Sequence, residues 1–208
     1  MMKVLLINGS PRAKGCTFTA LTEIANELEK ENIETEILHV GNKPISGCIA
    51  CGGCTETDEK CVLKGDLVNE ALEKMKEADG MVVGSPVHYA AASGAITSFL
   101  DRFFYAGSSF QYKPGAAIVS CRRGGSTAAF EQLNKYFTIS NMPIVSSQYW
   151  NMVHGNTPEE VKQDLEGMQT MRYIGKNMAW LLKSIQAGKD AGIEIPEREP
   201  RERTNFIR

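Results

Sequence analysis

Apolar residues in this chain fall into short unbroken runs, separated by stretches in which they recur every three or four positions. Val4-Leu5-Leu6-Ile7 is one such run, with no polar position within it, and it predicts a strand buried on both faces. Thr17 to Lys30 follows with Phe18, Leu21, Ala25 and Leu28 at helical spacing, which makes a strand-loop-helix unit. Glu34 to Val40 predicts a second strand. Leu67 to Lys76, with Leu67, Ala71, Leu72 and Met75 on one stripe, predicts a helix, and Gly80 to Gly84 a third strand. The alternation continues with a helix over Ile96 to Phe104, a strand over Ala116 to Ser120, a helix over Ala128 to Phe137 and a strand over Pro143 to Ser146. A long last helix over Pro158 to Ile185 carries Met171, Ile174, Met178, Leu181 and Leu182. Strands that alternate with helices pair in parallel, so five strands and five helices predict an α/β fold with a doubly wound parallel sheet. From Ala187 onward the apolar period stops and charge and proline take over. That end reads as a loose tail, or as an arm that orders on a partner.

A length of 208 residues suits one domain that buries its own core. The expected layout is a domain over residues 1–187, with a cysteine-rich insertion at 44–64, and a charged tail or arm over 188–208. The formal net charge of −2 leaves no basic footprint for nucleic acid. The first apolar run is too short for a signal peptide, and no run reaches the roughly 18 residues of a membrane span, so a cytoplasmic protein off the membrane is expected. In that setting the six cysteines are thiols. Four of them crowd between Cys48 and Cys61, a placement that favours redox or metal chemistry over structural disulfides.

The loop after the first strand, Asn8 to Thr19, is rich in small and hydroxyl residues and ends at a helix N-terminus, where backbone N–H groups and the helix dipole attract an anion. Ser10, Thr17 and Thr19 add hydroxyls and Arg12 a guanidinium, so a phosphate fits there. The loop matches neither the glycine pattern of a triphosphate-binding loop nor that of a dinucleotide fingerprint. Cys16 and Cys121 lack an arginine six positions on, which removes a thiol-based phosphatase, and Gly84-Ser85-Pro86 leaves no acceptor carboxylate for a phospho-receiver.

In a doubly wound sheet the ligand lies beyond the carboxyl ends of the strands, where the strand order reverses. Two further loops should meet the first there. Ser85-Pro86-Val87-His88-Tyr89 up to Gly94 offers a rigid proline, backbone amides and two flat rings able to edge and cover a flavin. Cys121-Arg122-Arg123-Gly124-Gly125 offers cations and close backbone approach where a reduced flavin gathers negative charge.

Gly9-Ser10-Pro11-Arg12, Gly84-Ser85-Pro86-Val87-His88-Tyr89 and Ser98-Phe99-Leu100-Asp101-Arg102 resemble, in order and spacing, the motifs of the NADPH-dependent FMN reductase family over roughly residues 3–150. The resemblance implies a flavodoxin-like five-stranded parallel sheet of order 2-1-3-4-5. It implies that Ser10, Arg12, Thr17, Phe18 and Thr19 hold the FMN phosphate. Pro86, Val87, His88 and Tyr89 would then line the isoalloxazine, and a neighbouring subunit of a homodimer or homotetramer would complete the pocket. Cys16 departs from the family, whose members commonly carry asparagine there. A single anion site implies FMN rather than FAD.

Cys48-x-x-Cys51-x-x-Cys54-x₆-Cys61 lies in the insertion after the second strand, with Gly47, Gly52 and Gly53 letting the backbone wrap. Three thiolates at spacings of three with a fourth just beyond suit a [4Fe-4S] cluster better than zinc, which takes paired knuckles. A Cys48/Cys51 redox disulfide and a vacant reduced loop remain the alternatives. The compact spacing resembles the iron-sulfur flavoprotein branch of the same family. The expected function is therefore an FMN-dependent NAD(P)H oxidoreductase that exchanges electrons with a small-molecule or protein donor and acceptor, the cluster included. Because the cofactor carries the chemistry, no side chain is obligatory for catalysis, with His88 and Tyr89 as candidates to assist. A non-enzymatic electron carrier and a thiol-based redox sensor are the rival readings.

Overall fold

The computed structural model describes residues 1–200, 202–204 and 206. In chain order it contains β1 (Lys3–Asn8), α1 (Cys16–Lys30), β2 (Glu34–His39), a single 3-10 turn at Gly53–Glu56, α2 (Val68–Glu77) and β3 (Gly80–His88). These are followed by β4 (Ala91–Ala92), α3 (Gly94–Ala106), β5 (Gly115–Cys121), α4 (Ser126–Ile139), β6 (Met152–His154), α5 (Pro158–Gln163) and α6 (Leu165–Asp190). The main strands run β2-β1-β3-β5-β6, all parallel, and β4 folds back antiparallel on the end of β3. Counting the five main strands alone, this is the expected order 2-1-3-4-5.

Alternation along the strands divides the core between the two faces of the sheet. Leu5, Ile7, Met81, Val83, Ala117 and Val119 face one way, against α2, α3 and α4 through Leu72, Phe99, Phe103, Leu133 and Phe137. Val4, Leu6, Val82, Ala116 and Ile118 face the other way, against α1, α5 and α6 through Leu21, Ile24, Val161, Met171, Ile174 and Met178. A strand covered on both faces has no solvent side, which is why the runs carry no polar positions.

Three expectations are corrected. The fifth strand lies at Met152–His154, not over Pro143 to Ser146; Ile144 makes only an isolated bridge to Gly115 and is partly exposed. Asn151 directs this, because its carbonyl accepts from Val119 N–H at 3.0 Å and its buried side-chain amide donates to the Ala117 carbonyl at 3.0 Å. The last helix is two helices. Asp164 ends α5 with a non-helical backbone and caps α6, its Oδ1 accepting from Gly167 N–H at 2.9 Å and its Oδ2 from His154 N–H at 2.7 Å. The third strand also runs on through Pro86-Val87-His88, so these residues belong to the sheet and not to a loop. α6 runs to Asp190, into the expected tail; beyond it Ile193 and Ile195 line a groove with Tyr112 and Ile185 and the described residues have no regular structure, while Arg201, Asn205, Ile207 and Arg208 of the expected tail lie outside the described residues.

Candidate functional site

At the carboxyl ends of β1, β3, β5 and β6 the loops enclose a cleft of about 230 Å3, lined among others by Ser10, Arg12, Thr17, Pro86, His88 and Arg122. It sits beside the β1/β3 pair, where the strand order reverses, as the doubly wound topology demands.

The first loop is held from inside the protein. Asn8 Oδ1 accepts from Ser10 N–H at 3.1 Å, Ser10 Oγ accepts from Arg12 N–H at 3.2 Å, and the Ser10 carbonyl meets His39 Nε2 at 2.7 Å. Gly9 is tied to β3 by donating to the Gly84 carbonyl at 2.9 Å and to α3 by accepting from Ser93 Oγ at 2.8 Å. α1 then opens at Gly15 with no side-chain cap and no acidic residue in its first turn. The N–H groups of Cys16, Thr17 and Phe18 have no protein acceptor among the described residues, so the positive end of the helix faces the cleft unsatisfied. The close approach of backbone to α1 needs Gly84, since a Cβ there would lie 2.8 Å from Thr17 Cγ2.

The floor of the cleft is the hydrogen bond between Thr17 Oγ1 and Ser120 Oγ at 2.8 Å, both residues buried. Burial pushes the Cys16 and Cys121 thiols up from their ordinary range, so neither is a ready nucleophile.

Ser10, Arg12, Thr17, Pro86, Val87, His88 and Arg122 are brought together around this cleft. Other expected contacts are placed differently. Tyr89 occupies the tip of the β3–β4 hairpin with φ 58° and its side chain is fully exposed, clear of the cleft lining. Thr19 Oγ1 donates to the Gly15 carbonyl, and Ser85 is buried beneath the cleft, where its Oγ accepts from Ser93 N–H at 3.0 Å. Phe18, Gly124 and Gly125 do not line the cleft; Gly125, at φ 91°, provides the left-handed turn that starts α4. Pro11, Cys16, Ser120 and Cys121, which lie in the expected loops without having been named as contacts, complete the lining together with Gly155 and Asn156, which the sequence reading missed. Gly155-Asn156 follows β6, so correct placement of that strand is the signal that would have found them.

Cys48, Cys51, Cys54 and Cys61 are all free thiols and line one largely apolar cavity of about 190 Å3, together with Arg102 and Tyr105. The loop turns through left-handed residues at Ala50 (φ 52°) and Gly52 (φ 72°). Among the described residues no three His, Cys, Asp or Glu side chains converge at metal-binding distance, so the loop as folded holds the thiols around the cavity without drawing them to one centre. The donor set of four reduced thiols with a nearby N–H donor fits a thiolate-ligated cluster. No described helix is long and apolar enough to cross a membrane.

A doubly wound sheet with an anion-seeking helix end at its switch point, and a four-thiol loop beyond its second strand, defines a flavodoxin-like α/β protein. The sequence matches the NADPH-dependent FMN reductase family over residues 2–157, and the chain belongs to that family. It is similar to an iron-sulfur flavoprotein of Methanocaldococcus jannaschii, 35% identical over 194 residues that cover 89% of this chain and all of that one. Among solved structures it resembles RosB, crystallised with an 8-formyl flavin phosphate, at TM-score 0.69 and 17% identity over all of this chain and 93% of the other. An archaeal flavodoxin superposes at TM-score 0.58 and 17% identity over 88% of this chain and 99% of its own.

Proposed function

We propose that this protein is an FMN-dependent NAD(P)H oxidoreductase of the flavin or quinone reductase type, with a [4Fe-4S] cluster on Cys48, Cys51, Cys54 and Cys61. The observation that carries this reading is the convergence of four strand-end loops on one cleft beside the uncapped N-terminus of α1. In it the N–H groups of Cys16, Thr17 and Phe18, with Ser10, Thr17 and the Arg12 guanidinium, hold the FMN phosphate. Pro86, Val87 and His88 edge the ring, and Arg122 stands where negative charge gathers on reduction. When bound, FMN supplies hydride and single-electron chemistry and the cluster single-electron chemistry. The chain's own work is to bind, orient and tune both. His88 is placed to assist; Tyr89, fully exposed at the hairpin tip, is placed to reach a neighbouring subunit.

Exposed Tyr89, Tyr105, Tyr149 and Trp150 favour a homodimer or homotetramer that covers the cleft mouth. Residues 1–187 are proposed as the flavin domain with the insertion at 44–64, and 188–208 as its appended arm.

Anaerobic purification tests the reading, with a visible spectrum, iron and acid-labile sulfide analysis and identification of the acid-released cofactor. FMN with iron and sulfide, and NAD(P)H oxidation with quinone or ferricyanide, is the expected outcome. FAD, or flavin without turnover of either nicotinamide, refutes the corresponding part. Light scattering at micromolar concentration reads the oligomeric state, and a monomer refutes the shared mouth.

A further inference from the structure

Arg102 is 1% exposed and is the largest fully buried side chain among the described residues. It rises from α3 and is spent entirely on the cysteine loop. Nε–H donates to Cys61 Sγ at 3.2 Å, Nη1 to the Ser46 carbonyl at 3.2 Å and to the Asp66 carboxylate, and Nη2 to the Leu63 carbonyl at 2.9 Å. Ser46 precedes the first loop cysteine, and Leu63 and Asp66 follow the last, so one guanidinium ties the two ends of the loop together. Only a planar fork of fixed N–H donors reaches acceptors in four directions at once.

Cys61 is thereby held at three points. Besides its sulfur, its N–H donates to Asn69 Oδ1 at 2.8 Å and its carbonyl accepts from Asn69 Nδ2 at 2.9 Å. Cys48 and Cys51, by contrast, are exposed. The loop is thus asymmetric: Cys61 is fixed by hydrogen bonds, Cys54 is half-buried against the same core, and Cys48 and Cys51 are exposed.

We propose that Arg102 is a positioning residue that pre-places Cys61 as the first fixed sulfur of the loop and sets the reduction potential of the cluster built on it. This rests on the cluster reading proposed above. An N–H donor on a ligand sulfur draws negative charge away from the metal, which favours the reduced, more negative form and raises the potential. Asp66, paired directly with the guanidinium, cancels its charge as felt at longer range, so the contact to Cys61 is the local lever that remains.

The test uses Arg102→Lys, which keeps a cation but loses the fork, and the double variant Arg102→Met with Asp66→Asn, which leaves no unpaired buried charge. In the metal-free proteins, amide hydrogen exchange over residues 46–66 should quicken roughly tenfold, the effect of losing one charged hydrogen bond, while β1 and β5 exchange as in the wild type. In anaerobically reconstituted proteins a dye-mediated titration followed by electron paramagnetic resonance should give a more negative cluster potential, with FMN content unchanged. Wild-type exchange over 46–66 in both variants overturns the positioning role. A wild-type potential in variants carrying full iron and sulfide overturns the tuning role. Wild-type protein without iron and sulfide overturns the cluster reading and the tuning role with it, and the exchange measurement still decides the positioning.

Discussion

Gly41 gives the most direct test of how the phosphate loop is supported. The chain leaves β2 there and passes so close over the first loop that a Cβ on Gly41 would lie 2.3 Å from the Ser10 carbonyl oxygen, 2.5 Å from its carbon and 2.6 Å from the Gly9 carbon. These neighbours are backbone, so no rotamer change relieves them. Gly9 is pinned by Gly84 and Ser93, and Ser10 by Asn8 and His39. Gly41→Ala must therefore either lift residues 41–44 or push the loop inward. Overpacking of this kind costs about 1–3 kcal/mol. For a chain of this length that lowers Tm by about 2–4 °C per kcal/mol. On the proposed binding mode, displacing Ser10 and Arg12 should also remove at least one charge-assisted contact to the FMN phosphate, about 1.5 kcal/mol or roughly tenfold in Kd. Scanning fluorimetry reads the first effect, and titration of flavin fluorescence the second. Gly94→Ala is the control: a Cβ there meets nothing within 4 Å, and the position opens α3, so stability should be unchanged or slightly raised. If Gly41→Ala behaves like Gly94→Ala in both assays, the claim that β2's exit buttresses the phosphate loop is wrong.

Arg12→Ala should raise the FMN Kd roughly tenfold or more through loss of a charged hydrogen bond, with Tm of the flavin-free protein unchanged because Arg12 is exposed; equal affinity would show that it points to solvent. Thr17→Val breaks the buried bond to Ser120 and leaves that hydroxyl without its partner, an expected loss of about 1–3 kcal/mol by urea denaturation. In metal-free protein at mildly alkaline pH, iodoacetamide followed by mass spectrometry should label exposed Cys48 and Cys51 well before Cys16 and Cys121, whose thiols burial holds in the neutral form. Hydrogen bonding to Lys74, reinforced by Lys3 and opposed by partial burial, holds the Glu36 carboxyl below its ordinary value. Its contribution to stability is therefore full above the usual carboxylate range and is lost as pH falls through the depressed pKa. Glu36→Gln should flatten that part of the acid limb, measured as Tm against pH, and an unaltered limb counts against the pairing.

The succession of strands and helices was legible because each buried run is bounded by turns and alternates with an amphipathic helix; their order in the sheet came from the family resemblance. What was lost is instructive. β6 has only three residues, Met152–His154, too few to show a pattern, while the apolar pair Ile144-Val145 nearby imitates a strand. Val161, Met168 and Met171 keep one apolar stripe across the break at Asp164, so only the capping chemistry of that aspartate marks the boundary. The cleft residues on loops after β1 and β3 could be named because those loops carry unusual residue types. Gly155 and Asn156 could not, since their part depends on where β6 lies. Arg102 was visible as part of a motif, yet a charged residue on an amphipathic helix gives no sign that it is buried; only the folded loop supplies the acceptors that make its burial possible.

The tie between Arg102 and the cysteine loop also bears on how such a chain can change over generations. Twenty-eight residues, 40–67, separate β2 from α2, where helices and strands in this kind of fold are commonly joined by about 2–6. Beyond Val40 and Gly41, which bond to β1 and pack on the first loop, the strand pairing lies outside that stretch, so the rest of the loop is a cassette that a descendant could shorten while leaving the sheet intact. It could not be discarded alone. Ser46, Cys61, Leu63 and Asp66 would leave with it, and the guanidinium they satisfy would stay behind, buried and uncompensated, at a cost of about 3–5 kcal/mol. Loss of the cassette and replacement of Arg102 are therefore coupled events: in a descendant of this chain, an apolar residue at 102 should accompany a short connection, and an arginine there a long one.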